Sequence, residues 1–124
     1  MDRNSILILD DEYDIVTIIK TALERKKYSA FGFTEPLMAI EHFNTNSINY
    51  GLVISDLRMP AMNGFDFIEG VRQIKSEVKV LLMTAFAVED DSDFIMRFKS
   101  HNINGFIQKP FSIRQLNNTV DNHM

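Results

Sequence analysis

The sequence predicts an α/β domain built on a doubly wound parallel sheet, in which five β-strands each precede an α-helix. Short aliphatic runs alternate with segments of helical period, and most of the runs end at a polar residue. Alternating strands and helices imply a parallel sheet covered on both faces, because right-handed crossovers place helices on each side of it. The chain has 124 residues, which fits one domain over residues 1–124.

Four runs are short, aliphatic and rich in β-branched residues, which is typical of buried parallel strands. They are Ser5–Leu9, Gly51–Ser55, Val78–Met83 and Gly105–Gln108. A fifth and weaker run, Tyr28–Phe33, interleaves small and aromatic residues. This run predicts a strand at the edge of the sheet.

The segments between the runs carry residues at spacings of three and four, which predicts amphipathic helices. The residues at this spacing, helix by helix, are Ile15, Ile18, Ile19, Ala22 and Leu23; Leu37, Ala39, Ile40 and Phe43; Phe65, Ile68, Val71 and Arg72; Phe94, Ile95 and Phe98; and Ile113, Leu116 and Val120. Helix starts are predicted at Thr34, ahead of a proline, at the acidic segment Glu89–Asp91, and at Ser112 as an N-cap. Asn102 is predicted to end the fourth helix, since Asn tolerates a left-handed turn.

Composition excludes several classes of function. The net charge of −4 gives no attraction to nucleic acid or to anionic membrane surfaces. The absence of cysteine excludes disulfides, thiolate zinc sites and cysteine nucleophiles. No signal-peptide pattern and no apolar run near the length of a bilayer span occurs, so we expect a cytoplasmic protein. His42, His101 and His123 are scattered without metal-ligand spacing, and surface positions are expected for them.

Polar residues end the predicted strands: Asp10 and Asp11, Asp56, Thr84, and Lys109. In a doubly wound sheet the carboxyl ends of the strands meet at one edge, where ligands bind. Each residue alone is as well explained by capping, a loop or a solvated surface. Their coincidence at the ends of four separate segments instead favours a common site.

The residue types at these strand ends suit phosphoryl transfer. Three clustered carboxylates repel one another, and Mg²⁺ with oxygen ligands resolves that repulsion. Asp56 can attack phosphorus as a carboxylate nucleophile. Lys109 supplies a positive charge for a phosphoryl oxygen, and the Thr84 hydroxyl can donate a hydrogen bond to another.

Four segments match a known family: Ile6–Glu12; Ser55–Pro60 with Met62, Gly64 and Asp66; Thr84-Ala85; and Phe106–Phe111. Through them the sequence resembles, over nearly its whole length, the CheY-like receiver domains of two-component response regulators. The resemblance implies a flavodoxin-like three-layer sandwich with strand order 2-1-3-4-5. It also implies that Asp56 accepts the phosphoryl group. Mg²⁺, or alternatively Mn²⁺, would be bound by Asp10, Asp11, Asp56 and the backbone carbonyl of Arg58.

The same resemblance implies the residues that read the modification. Thr84 and Phe106 correspond to the switch pair, and Thr84, Ala85 and Lys109 to the contacts of the phosphoryl group. The Lys109–Pro110 bond is typically cis in the family. Phe106 lacks the hydroxyl that many members carry as Tyr, so burial alone is expected to bias this switch.

Partners are also implied by the resemblance. The donor would be a sensor histidine kinase or a phosphotransfer protein, with small acyl phosphates as substitutes, and hydrolysis would be self-catalysed. Such a protein is a signalling switch, not an enzyme acting on a separate substrate. Output is expected through protein contacts on the face formed by the fourth helix, last strand and last helix, near Met96 and Arg97. A monomer or a phosphorylation-dependent dimer is expected, either as a single-domain regulator or as part of a longer one cut near His123.

One further departure from the family pattern concerns the packing of the fourth helix, and two other positions correspond to ones that tune phosphoryl lifetime in the family. Asn102-Ile103 stands where the family commonly has Gly-Ala. Arg58 and Phe86, two positions after Asp56 and Thr84, flank the site and are predicted to restrict water and slow autodephosphorylation.

Three other classes of protein share features of this sequence. A haloacid-dehalogenase-like phosphatase would need a second Asp two positions after the nucleophile, where Arg58 stands. A flavodoxin-type electron carrier would need a Gly- and hydroxyl-rich loop after the first strand, where Asp10–Glu12 would repel a flavin phosphate. A non-phosphorylated interaction domain of the same fold stays open, although the intact set of site residues argues against it.

Overall fold

Five parallel strands form the single sheet of the computed structural model, which describes residues 4–85 and 92–124. The strands are β1 (Ser5–Leu9), β2 (Ala30–Phe33), β3 (Tyr50–Asp56), β4 (Lys79–Thr84) and β5 (Gly105–Gln108). The helices are α1 (Tyr13–Arg25), α2 (Pro36–Asn46), α3 (Gly64–Ile74), α4 (Ser92–Ser100) and α5 (Ile113–His123), and a 3-10 turn spans Ser47–Asn49. The strand order is β2-β1-β3-β4-β5, which confirms the predicted topology and the edge position of β2.

Each face of the sheet carries its own hydrophobic core. Alternate residues of β1 point to opposite faces, so Leu7 and Leu9 join the core beneath α2, α3 and α4, whereas Ile6 and Ile8 join the core beneath α1 and α5. Both sets are fully buried. This explains why the strand runs are continuously apolar, since both faces of the sheet are covered.

Side-chain caps are seen at the starts of α3 and α5, whereas α1 and α2 begin without one. The predicted cap at Ser112 is confirmed and forms a reciprocal capping box with Gln115. The predicted start at Thr34 is wrong by one residue, because Pro36 takes the first helical position and Glu35 becomes the N-cap. Asn63, which the sequence analysis missed, caps α3 through the backbone N–H of Phe65. The predicted acidic start at 89–91 lies outside the described residues.

The predicted buried faces of the helices were too wide. Ile18, Leu37 and Ile113 are exposed by 47%, 66% and 45%. A helix on a sheet buries a narrow stripe, and Val16 rather than Ile18 lies on the stripe of α1. Ile18 and Ile113 instead line a groove between α1 and α5.

The turn between α4 and β5 follows the sequence prediction. Asn102 has a positive φ of 53° and ends the helix region as expected. Ile103, larger than the alanine common in the family, is buried in the core beneath α3 and α4. The peptide bond between Lys109 and Pro110 is cis. Among the described residues, no helix is long and apolar enough to cross a membrane.

The three histidines, expected at surface positions, are half-buried in the structure. His42 is the most constrained. The Asn46 side-chain nitrogen donates to the His42 carbonyl at 2.9 Å and lies 3.3 Å from its Nδ1. An amide nitrogen can only donate, so Nδ1 accepts and Nε2 carries the proton, which it donates to the hydroxyl of Tyr50. Burial lowers the pKa of His42, which is consistent with a neutral ring.

We expect this network to make stability depend on pH. Because the pKa of His42 is lowered on folding, the unfolded chain binds a proton more readily, and stability falls as pH drops below about 6.5. The variant His42→Gln cannot titrate. Its deficit in free energy of unfolding relative to wild type, measured by urea denaturation, should therefore be larger at pH 7.5 than at pH 5.5. A deficit that does not change with pH would contradict the assignment.

Candidate functional site

The polar residues that end the strands do converge at one edge of the sheet. Asp10 directly follows β1, Asp56 and Thr84 are the last residues of β3 and β4, and Lys109 directly follows β5. A cavity of about 190 Å³ opens at this edge, lined by Asp11, Glu12, Asp56, Leu57, Arg58, Thr84, Ala85 and Lys109. Asp10, Asp56 and Thr84 are buried, whereas Asp11 and Arg58 are exposed.

Lys109 reaches across the strand ends to two carboxylates. Its Nζ donates to Asp10 Oδ2 at 2.7 Å and lies 3.4 Å from Asp56 Oδ1. The other oxygen of Asp10 accepts from the backbone N–H of Glu12 at 2.9 Å. Burial lowers the pKa of Lys109, but the hydrogen bond to Asp10 and the charges of Asp56 and Asp10 outweigh it, so the net shift is upward.

Asp56 is difficult to ionise in this surrounding. Burial raises its pKa, the nearby charge of Asp10 raises it further, and Lys109 offsets part of the effect, leaving a pKa of about 6. Carboxylate oxygens of Asp10, Asp11 and Asp56 all lie within 4.8 Å of one another. Lys109 alone does not balance three carboxylates. This donor set, of oxygens only, fits a hard divalent cation such as Mg²⁺.

The backbone around Asp56 is held by short contacts. The N–H of Leu57 donates to the carbonyl of Met83 at 2.9 Å, and the N–H of Gly64 donates to the carbonyl of Leu57 at 2.8 Å. A Cβ on Gly64 would lie 2.4 Å from the carbonyl oxygen of Asp56, so only glycine permits this approach. The first turn of α3 is therefore packed directly against the backbone of Asp56.

Some predicted residues lie apart from the cavity or outside the description. Phe106 does not line it; its ring is 38% exposed and lies 6.2 Å from the ring of Phe98. Phe86 falls outside the described residues. Glu12 lines the cavity and was not assigned a role from the sequence, although it belongs to the acidic run after β1.

Comparison with known proteins identifies the family. The model of the response regulator receiver domain matches residues 6–121. The response regulator SaeR of Staphylococcus aureus is 28% identical over 117 residues, which cover 94% of this chain and 49% of that protein. The chain thus spans about half the length of the curated relatives it matches.

Solved structures show the same fold. The chemotaxis protein CheY4 of Vibrio cholerae superposes with a TM-score of 0.87 at 22% identity, covering 98% of each chain. A response regulator receiver domain protein from Clostridium thermocellum gives a TM-score of 0.84 at 23% identity, covering 97% of this chain and 93% of that one.

The raised pKa of Asp56 leads to a prediction about stability. The pKa of the Asp56 carboxyl rises to about 6 on folding. The folded protein therefore loses stability as pH rises from the pKa of this carboxyl in the unfolded chain to its pKa in the folded protein. Asp56→Asn should therefore increase the free energy of unfolding at pH 8 without metal by about 3 kcal/mol. The gain should nearly vanish at pH 4, where the wild-type carboxyl is protonated. Urea denaturation at the two pH values measures this, and equal gains at both would count against a raised pKa.

Proposed function

The chain belongs to the response regulator receiver domain family, and we propose that residues 1–124 act as one receiver domain that accepts a phosphoryl group on Asp56. The donor is a phosphohistidine of a sensor histidine kinase or of a phosphotransfer protein, in a Mg²⁺-dependent reaction. One observation carries this proposal. The Asp56 carboxyl lines an open cavity, together with Asp11, and lies 3.4 Å from Lys109.

The metal would be held by Asp10, Asp11, Asp56 and the backbone carbonyl of Arg58, with Mn²⁺ as an alternative ion. When bound, it supplies positive charge for the oxygens of the transferring group. A carboxylate oxygen of Asp56 forms the new bond to phosphorus while the phosphorus–nitrogen bond of the donor breaks, and the electron pair leaves with the imidazole.

The other residues of the site act on the phosphoryl oxygens. Lys109 is already desolvated, with its side chain 18% exposed, so its charge acts strongly at short range. The Thr84 hydroxyl donates a hydrogen bond to a second phosphoryl oxygen. Ala85, beside it, leaves room for the phosphoryl group at the mouth of the cavity. Later attack of water on phosphorus returns the Asp56 carboxylate and inorganic phosphate.

Conformational output would follow from Thr84 and Phe106. Thr84 moves toward the phosphoryl group, and the space that it leaves favours an inward turn of Phe106. The half-exposed ring of Phe106 gains burial by that movement, which is worth about 1 kcal/mol or more. Phosphorylation then shifts an equilibrium between two existing forms.

The output surface would be the face formed by α4, β5 and α5. Met96 is 69% exposed and Ile95 37% exposed on this face, which suits contact with a protein target. Arg97 is less available, because its guanidinium lies 4.6 Å above the ring of Phe65. The domain would act in the cytoplasm, as a monomer or as a dimer formed on phosphorylation.

Incubation with Mg²⁺ and acetyl phosphate tests the phosphoacceptor. We expect intact-mass spectrometry to show one added phosphoryl group on wild type and none on Asp56→Asn. Lys109→Met should lower the rate at least about tenfold, since it removes a charge-assisted contact. Asp121→Asn, a change at the far end of α5, is the matched control and should be labelled like wild type.

If wild type binds Mg²⁺ but gains no phosphoryl group, the proposal fails and a non-phosphorylated interaction domain becomes the better description. If Asp56→Asn is labelled as well as wild type, the acceptor is misassigned.

Arg58 lines the cavity mouth, so we expect it to slow hydrolysis of the aspartyl phosphate. The half-life of purified phosphoprotein, followed by mass after removal of the donor, should exceed minutes and should shorten several-fold in Arg58→Ala. A wild-type half-life of only seconds would rule out such shielding.

A further inference from the structure

The guanidinium of Arg72 connects three segments of the chain at the end of the sheet where β4 and β5 begin. Arg72 lies in the last turn of α3 and is half-buried. Its acceptors are the carbonyls of Ser76 (3.1 Å) and Val78 in the α3–β4 loop, and the carbonyls of His101 (3.3 Å) and Asn102 (2.7 Å) with Asn104 Oδ1 (3.3 Å) in the α4–β5 turn. These contacts match the five N–H donors that a guanidinium offers.

The contacts of Arg72 fix the C-terminal end of α4. Hydrogen bonds from a charged group are stronger than neutral ones, and the carbonyls at a helix C-terminus carry partial negative charge. The same turn is tied to β4, because the N–H of Asn104 donates to the carbonyl of Val80 at 2.9 Å and its Oδ1 accepts from the N–H of Val80 at 2.8 Å. The turn is thus held from α3 and from β4 together.

The N-terminal half of α4 is packed differently. A cavity of about 310 Å³ lies between it and the loop after Asp56, with Leu57, Met59 and Phe65 on one side and Phe94 and Arg97 on the other. Within Ser92–Ser100, all of which is described, Phe94 is the one fully buried side chain. This end of the helix therefore has space to move into, and it is held to α3 by Phe94 and by the Arg97 guanidinium, which lies 4.6 Å from the ring of Phe65.

We infer that Arg72 is a positioning residue of the switch, whose guanidinium pins the α4–β5 turn so that α4 pivots about its C-terminal end and its N-terminal half moves over the cavity beside Leu57. This inference rests on the proposed function, since phosphorylation at Asp56 would supply the signal. Its geometric part, the pinned end of α4, exists in the unmodified protein and can be tested without phosphorylation.

Amide hydrogen exchange tests the pin in the unmodified protein. In wild type, the amides of His101 and Ile103 should be better protected than those of Met96 and Arg97. In Arg72→Met, the amides of His101 and Ile103 should exchange about tenfold faster or more, beyond any change in strand amides such as that of Ile54.

Two further variants complete the exchange experiment. Arg25→Met is the matched control, because Arg25 also lies in the last turn of a helix, and it should leave the α4–β5 turn unchanged. Arg72→Lys keeps the charge and part of the donors, so its exchange should lie between wild type and Arg72→Met. If Arg72→Met speeds exchange of the turn no more than that of Ile54, the residue serves global stability only and the inference is overturned.

Binding of Mg²⁺ with beryllofluoride tests the pivot. In wild type we expect amide chemical-shift changes in the N-terminal half of α4 and little change at residues 99–104, whereas in Arg72→Met the changes should extend through residues 99–104. Equal changes along the whole of α4 in wild type would overturn the pivot and leave the proposed function intact. If wild type binds no beryllofluoride, the proposed function fails, and hydrogen exchange alone decides whether Arg72 pins the turn.

Discussion

The ion pair between Asp10 and Lys109 is the contact on which the geometry of the site depends. Asp10 has no exposed surface, and a buried carboxylate costs several kcal/mol unless a partner neutralises it. Its partner Lys109 follows β5, which is separated from β1 by β3 and β4 in the sheet. The pair therefore spans the ends of the two intervening strands. Asp56 and Thr84 end those strands, so the pair that satisfies Asp10 also brings Lys109 to 3.4 Å from Asp56.

That arrangement leaves more negative than positive charge at the site. Lys109 is shared between Asp10 and Asp56, while Asp11 adds a third carboxylate within 4.8 Å. Burial raises the pKa of Asp56 most and the charge of Asp10 raises it further, so the carboxyl holds its proton up to about pH 6. A divalent cation would lower that pKa by its charge and make the carboxylate nucleophilic at neutral pH. The acidic cluster thus accounts for both the metal and the reactivity that are proposed for this site.

The sequence reveals the strand ends because the change in residue type is abrupt there, as from Leu9 to Asp10. It is less informative about the helices, since Leu37 keeps helical spacing and is nevertheless 66% exposed. Arg72 shows most clearly what the sequence cannot predict. Its place among the buried-face positions of α3 is visible, but acceptors such as the carbonyls of His101 and Asn102 lie 29 and 30 residues away. A backbone carbonyl carries no residue signature, so such contacts emerge only from the fold.

The weak packing of α4 lowers the free energy that is needed to move this helix. Reversing a two-state equilibrium from 1:99 to 99:1 requires about 5.5 kcal/mol of differential interaction. Displacing the N-terminal half of α4 disturbs Phe94 and the contact of Arg97 with the ring of Phe65, and exposing one Phe costs about 1.5–3 kcal/mol. Charge-assisted contacts of a phosphoryl group with Lys109 and Thr84 are worth about 1.5–3 kcal/mol each. Moving all of α4 would also break the hydrogen bonds of Arg72 to the α4–β5 turn, which adds to the free energy required. A partial pivot would therefore require less free energy from the phosphorylation proposed at Asp56 than displacement of the whole helix.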